Sequence, residues 1–291
     1  KFNHFLPNAL GIGPMIEYLV SNPEALWWAM AVFTIVEGIV GLLLMFGFFT
    51  RLMSIGVFSL AMGILLGSGW LGTTCLDEWQ IGVLGVAGGF TMFLSGSGKY
   101  SIDYLLQKRN AKITKHKLFN WFGSGILPIE FNVLHKVVFG GAIAILALTL
   151  FTNQHFHGGV WGTLHNKSVK PKVEISDAKL TNDQLSFQIF RVEGADVYGS
   201  FLIGIKVVDS KDNTILALDQ NELATFPVEN IANRYVAKIK SGKHSLIIPL
   251  GAKAVLTITD EKLANLPEGT HKVILTDISG TTWSEEIQMV K

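Results

Sequence analysis

Four strongly apolar stretches lie within the first 151 residues of this chain, and some 140 residues of alternating, strand-like sequence follow them. The stretches run Leu26–Phe49, Leu52–Gly69, Ile81–Gly98 and Val133–Phe151. At 1.5 Å per helical residue, each is close to the length that a hydrocarbon layer of about 30 Å demands. The second and fourth are short for a span and fit either a crossing with polar ends or a helix inside a bundle. Only 16% of residues are charged, 19 are Phe, and almost all the charge lies outside the four stretches, which argues against a large soluble helical core. The expected architecture is an α-helical membrane bundle with four visible transmembrane helices, followed by an immunoglobulin-like antiparallel β-sandwich.

Basic residues set the orientation. Lys99 to Lys117 is rich in Lys and Arg and joins the third stretch to the fourth, while Arg51 sits in the link between the first and second; both links read as cytoplasmic. Ser68 to Gln80, between the second and third, has no Lys or Arg and two acids, so it belongs on the outer face. The chain leaves the fourth stretch on that same face, which makes the C-terminal domain extracytoplasmic. The first twenty-odd residues also start outside, the pattern of a chain that lacks an upstream span or a cleaved signal.

From about Lys170 the period is two. Strands are expected at Val173–Ser176, Leu185–Val192, Phe201–Val208, Tyr235–Ile239, Ser245–Leu250, Ala254–Ile258, His271–Thr276 and Trp283–Val290, separated by turn formers such as Ser241-Gly242. Asp219–Asn233 resists this pattern and reads as an irregular loop or a short helix. The domains are therefore expected at 1–132 (membrane helices), 133–165 (an anchoring helix and juxtamembrane segment) and 166–291 (the sandwich). Nothing in the sandwich assembles a catalytic pattern, and its shape says nothing about function.

Chemistry concentrates in two clusters on the outer side. The loop Ser68-Gly-Trp70-Leu-Gly-Thr-Thr-Cys75-Leu-Asp77-Glu78-Trp79-Gln80 holds the chain's single cysteine, so no intramolecular disulfide can form. A lone thiol on an oxidising face is either buried and inert or retained because its sulfur reacts. Asp77 and Glu78 tune that thiol or complement the N-terminus of the next helix. Trp70 and Trp79 are interfacial anchors or a flat wall for a quinone ring. The second cluster, His155-Phe-His157-Gly-Gly-Val-Trp161-Gly-Thr-Leu-His165, follows the last span. Its histidines are interfacial, or they offset an anion's charge and accept protons. The spacing completes no known metal site, and none is expected. Within the first stretch, Glu37 is costly in hydrocarbon, so it faces the interior as a structural partner or serves a quinone or proton relay. Gly38, Gly41, Gly47, Gly82, Gly85, Gly88 and Gly89 read as sites of close helix packing.

Glu37-Gly-Ile-Val-Gly through Thr50-Arg51, the Gly72–Gln80 loop and Gly98-Lys-Tyr-Ser-Ile-Asp103 resemble the DoxX/DoxD membrane family, in its DoxD branch. Gly158-Gly-Val-Trp161-Gly-Thr-Leu-His165-Asn166 and the sandwich resemble DoxA. The resemblance covers nearly the whole chain as a DoxD–DoxA fusion of the thiosulfate:quinone oxidoreductase type. Family members carry four helices in the DoxD portion and one more in DoxA, so four visible spans imply one missing upstream.

The implied activity is oxidation of thiosulfate to tetrathionate, with electrons passed to membrane quinone. The expected sulfur-side residues are Cys75, Asp77, Glu78, His155, His157 and His165; the quinone-side residues are Glu37, Trp70, Trp79 and Trp161. Quinone is the electron acceptor, with no haem, flavin or metal motif visible. Arg51 and Lys99 match the family motif but fall on the cytoplasmic end, as interfacial anchors. The expected partners are a reduced-sulfur compound, quinone and the lipid bilayer, and a homo-oligomer is compatible with this pattern. The net charge of +1 says nothing about a partner, and no basic, aromatic-rich surface segment suggests nucleic acid. Two other readings stay open: quinone-linked oxidation of a different reduced-sulfur compound, and a non-catalytic accessory protein whose sandwich docks a partner.

Overall fold

The computed structural model describes residues 2–72, 78–195, 200–264, 266 and 269–289. The chain divides into two compact units: Glu24–Asn166, and Lys1–Pro23 together with Lys167–Lys291.

The first unit is helical: α3 (Pro23–Met45), α4 (Thr50–Ser68), α5 (Glu78–Ser95), α6 (Ile102–Lys108), α7 (Lys117–Phe122) and α8 (Phe131–Phe156). Among the described residues, three helices are long and apolar enough to cross a membrane: α3, α4 and α8. The third apolar stretch folds as α5, an 18-residue helix whose first turn carries Glu78 and Gln80.

The α4–α5 contact is a glycine seam. A Cβ added at Gly85 would lie 2.5 Å from the Ala61 Cβ, and one at Gly82 would lie 2.8 Å from the Leu65 Cβ. Gly89 lies equally close to the backbone at Ser54 and Phe58, so these three glycines let two helix backbones approach. Gly38, Gly41 and Gly88 face open space, which corrects the expectation that they pack helices. Gly47 instead takes φ +61° in the α3–α4 turn, beside Phe49 at φ +46°. A left-handed phenylalanine is uncommon and is held here by hydrogen bonds from outside the turn.

Those bonds come from a buried polar knot. Asp103, fully buried near the start of α6, accepts from Phe49 N at 2.8 Å, Thr50 N at 3.0 Å and Thr50 Oγ1 at 3.0 Å. Ser124 adds its backbone N and its Oγ, both at 2.9 Å. Arg51, also buried, donates to the carbonyls of Phe93, Gly123 and Gly125. The knot joins the α3–α4 turn, the end of α5, α6 and the turn after α7. Arg51 is therefore an internal clasp, which corrects its reading as an interfacial anchor: a buried guanidinium whose three nitrogens all donate to backbone carbonyls does not reach headgroups.

The second unit is built on a ten-stranded sheet: β1 (Lys172–Thr181), β2 (Gln184–Glu193), β3 (Ser200–Val208), β4 (Thr214–Leu218), β5 (Ile231–Asn233), β6 (Lys240–Ser241), β7 (Leu246–Ile248), β8 (Lys253–Thr259), β9 (His271–Asp277) and β10 (Thr282–Met289). The order is β5-β8-β2-β1-β10-β9-β3-β7-β6, with β4 on β3, and it encloses one core in a nearly barrel-like arrangement. Leu185, Phe187 and Ile189 of β2 share that core with Leu202, Ile205 and Val207 of β3 and Val273 and Leu275 of β9; burial has period two along β2 and β9, and in β3 a register shift between Leu202 and Gly204 brings Leu202 and Ile205 to the same side. The sheet is not purely antiparallel. Lys179 and Leu180 of β1 pair in parallel with Gln288 and Met289 of β10, and this pair joins two antiparallel halves.

The expected strand at Tyr235–Ile239 does not form. The Asn233 side chain bonds both the N and the O of Ile239, closing that stretch into a loop. Asp219–Asn233 contains a short helix, α9 (Gln220–Ala224), started by a capping box of Asp219 and Glu222.

Residues before the first membrane helix, including α1 (Phe2–Phe5) and α2 (Gly13–Ser21), belong to this same unit. Ile16 and Val20 form a small core with Tyr235, and Val236 N donates to Val20 O at 3.0 Å. Asn8 Nδ2 donates to Val192 O at 2.9 Å, and the Tyr235 hydroxyl to Glu17 Oε1 at 2.6 Å.

Burial, helped by the Glu17 carboxylate, pushes the Tyr235 phenol well above its ordinary value. A raised acid pKa means that the folded state holds the proton more tightly. Its contribution is complete below the ordinary phenol range near about pH 10 and is lost as pH climbs beyond it. Thermal unfolding between pH 8 and 11.5 should show wild type more stable than Tyr235→Phe at pH 8, with the gap closing above about pH 10; a constant gap would contradict this linkage.

Candidate functional site

The two sequence clusters meet in the helical unit. The loop after α4 starts with Gly69, which leaves no room for a side chain because a Cβ there would lie 2.8 Å from the Phe156 ring. The next residue in the α8 chain, His157, sets its Nε2 3.1 Å from Gly69 O. Further on, Asn166 Nδ2 donates to Gly72 O at 3.1 Å. The juxtamembrane segment is thus tied at both ends to residues 69–72, immediately before the cysteine loop. Cys75 and Asp77 themselves lie outside the described residues.

Between those ties the segment folds on itself. Gly158 and Gly159 take φ +70° and +85°, a reversal that favours glycine. The Gln154 side chain, from the last turns of α8, accepts from Val160 N and Trp161 N at 3.1 and 3.0 Å. His165 N then bonds His157 O at 2.8 Å, which closes the loop.

The far side of the cysteine loop is fixed by α5. Glu78 opens the helix, with its backbone N 3.4 Å from Leu71 O, and its carboxylate lies in the first turn, where the helix dipole favours a negative charge. Trp79 Nε1 donates to Thr152 Oγ1 of α8 at 3.0 Å, and its ring centroid is 6.4 Å from that of His157, edge to face.

The other expected residues differ in what they offer. Trp70 is fully buried and presents no open face. Trp161 is 68% exposed. His155 is exposed and stacks on Phe151 at 6.1 Å, while His165 is exposed with Nδ1 3.4 Å from Thr163 O. His157 is tied by its ring and holds the segment in place. Glu37 stands apart from this group. It lies on the exposed side of α3, which corrects the expectation that it faces the interior, one turn before Val40, which packs on Gly56 of α4. At 1.5 Å per residue it is about 21 Å along the helix from Pro23, nearer the α3–α4 turn.

Among the described residues no group of three His, Cys, Asp or Glu side chains has a metal-binding arrangement. Sequence reasoning did not identify Gln154, Thr152 and Asn166 as the side chains that build this corner. Thr152 and Asn166 meet partners 73 and 94 positions away, and Gln154 caps a turn six and seven residues on, at a spacing that no standard motif announces.

A family profile described as "TQO small subunit DoxD" matches residues 1–130, and one described as "TQO small subunit DoxA" matches residues 156–286. Solved structures give only distant likenesses. S. aureus TarS is 12% identical, with 82% of this chain and 41% of that chain covered at a TM-score of 0.23. The twitchin kinase region from C. elegans is 13% identical, with 81% and 42% covered at 0.22. The chain spans about two fifths of each, and neither carries an argument about fold or function.

Proposed function

Because this chain belongs to the DoxD and DoxA families, joined in that order in one polypeptide, we propose that it is a membrane oxidoreductase that oxidises thiosulfate to tetrathionate at the outer face and passes the electrons to membrane quinone. The observation that carries the reading is the junction of the two segments: His157 on Gly69 O and Asn166 on Gly72 O hold the histidine segment of the DoxA portion against residues 69–72 of the DoxD portion, which lead into the cysteine loop.

A balanced sequence follows from thiol chemistry. The Cys75 thiolate and the sulfane sulfur of one thiosulfate form an S–S bond, and the two electrons released reduce quinone, which takes up two protons. A second thiosulfate attacks the sulfane sulfur of the adduct, tetrathionate leaves, and the Cys75 thiolate returns. Both substrates are dianions, so positive charge nearby lowers the barrier to their meeting. We assign that role to His155 and His165, whose rings are exposed, and a positioning role to His157. Asp77 and Glu78 set the field at the thiol. Trp79 and Trp161 supply aromatic surface for the quinone head, with Trp70 as buried support. We assign Glu37 to quinone-linked protons.

We also infer four crossings of the inner or cytoplasmic membrane, with the sheet unit on the extracytoplasmic side as an immunoglobulin-like sandwich. Residues 1–23 and the chain after residue 167 belong to one folded unit, which favours an even number of crossings between them. The helices α3, α4, α5 and α8 supply that number, and α5 at 18 residues reaches about 27 Å. The basic residues of the α5–α8 connection favour the same orientation. We propose domain limits at 1–132, 133–165 and 166–291, beside profile matches at 1–130 and 156–286.

Anaerobic turnover with thiosulfate should yield one tetrathionate per quinol. Quinol formed without tetrathionate would move the reading to another sulfur product, and tetrathionate formed without quinol would remove the quinone from it.

A further inference from the structure

The connection between α5 and α8 has a composition that the sulfur chemistry does not use. Apart from exposed Glu130 at its junction with α8, it carries six bases, Lys99, Lys108, Arg109, Lys112, Lys115 and Lys117, against one acid, Asp103. That acid is fully buried and committed to five hydrogen bonds, so it lends no negative charge to the outer surface of the segment. All six bases are exposed, and among the described residues none of them forms an ion pair.

Large apolar side chains are interleaved with the bases. Tyr104, Leu105, Ile113, Leu118, Trp121 and Ile126 are all exposed, Ile126 to 96%. An aqueous surface does not favour that mixture. The boundary of a bilayer does, because aromatic and aliphatic groups enter the acyl edge while lysine and arginine stems reach up to the headgroups. The segment also connects α5 to the membrane-length helix α8, so it lies where a bilayer ends. Its inner side is pinned: Arg51 holds Gly123 O and Gly125 O, and Gln107 bonds Ser124 O. The exposed side is therefore presented by a fixed platform.

We propose that residues 99–126 form a docking surface for anionic phospholipid headgroups, with Lys108, Arg109, Lys112, Lys115 and Lys117 holding phosphodiester groups and Leu118, Trp121 and Ile126 set into the acyl boundary. This interaction is independent of the sulfur chemistry and of which face of the membrane the segment occupies.

The test uses the full-length protein in bilayers of phosphatidylcholine with spin-labelled phosphatidylglycerol or spin-labelled phosphatidylcholine as probe. In about 0.1 M salt, phosphatidylglycerol should be held at the protein surface on the order of fivefold more strongly than phosphatidylcholine. Replacing the five named bases with Gln should bring the ratio close to one. In wild type, about 1 M salt should do the same, because screening then acts within about 3 Å. The salt arm decides the question even if the variant does not fold. Equal retention of the two lipids by wild type, or selectivity that survives either the substitutions or high salt, would overturn the proposal.

Discussion

Asp103→Ala is expected to cost about 3–5 kcal/mol of stability, enough to leave little folded helical unit in detergent. The carboxylate takes three bonds from the α3–α4 turn and two from Ser124, so its loss leaves the Phe49, Thr50 and Ser124 amides without their acceptor in a buried site. The left-handed Phe49 would lose the bond that helps hold it, and Arg51 would keep a buried positive charge with no carboxylate nearby. Asp103→Asn retains the shape but has one oxygen fewer as an acceptor, and it should fall between the two. Thermal unfolding of purified variants, followed by far-ultraviolet circular dichroism, checks the order. An alanine variant as stable as wild type would show that the knot contributes nothing.

Cys75→Ser should lower sulfur-dependent quinone reduction by at least about a thousandfold while leaving the melting temperature within a few degrees of wild type. A serine hydroxyl remains protonated at neutral pH and forms no disulfide-like bond to a sulfane sulfur, so the covalent step has no substitute. On either side of the loop, Gly69, Gly72 and Trp79 are held by His157, Asn166 and Thr152, none of which the substitution changes. Undiminished turnover in the variant would remove Cys75 from the reaction and leave direct coupling of two bound thiosulfates.

The apolar stretches were legible as helices because hydropathy acts over twenty residues at once, and most of the sheet strands were legible because burial alternates with period two. The glycine seam at Gly82, Gly85 and Gly89 was readable as close packing, whereas Gly38 and Gly41 carry the same signal and meet nothing. Spacing reports that a backbone can approach another but not whether one is present. Tyr235–Ile239 alternates like a strand, yet Asn233 closes it into a loop and Tyr235 packs on α2. The packing on α2 depends on Ile16 and Val20, far earlier in the chain and beyond any local pattern. The capping box at Asp219 and Glu222 was a local signal for α9, present in the D-x-x-E spacing. At the site, the meeting of the cysteine loop with the histidine segment followed from topology alone. The side chains that lock it, Gln154, Thr152 and Asn166, are ordinary polar residues whose roles arise only from the fold.

The most direct test of the central claim is the rate of quinone reduction when thiosulfate is added anaerobically to the purified full-length protein in lipid. The account predicts turnover that saturates with thiosulfate, stops when quinone is withheld and yields tetrathionate. Intact, quinone-supplied protein that reduces no quinone with thiosulfate would contradict it.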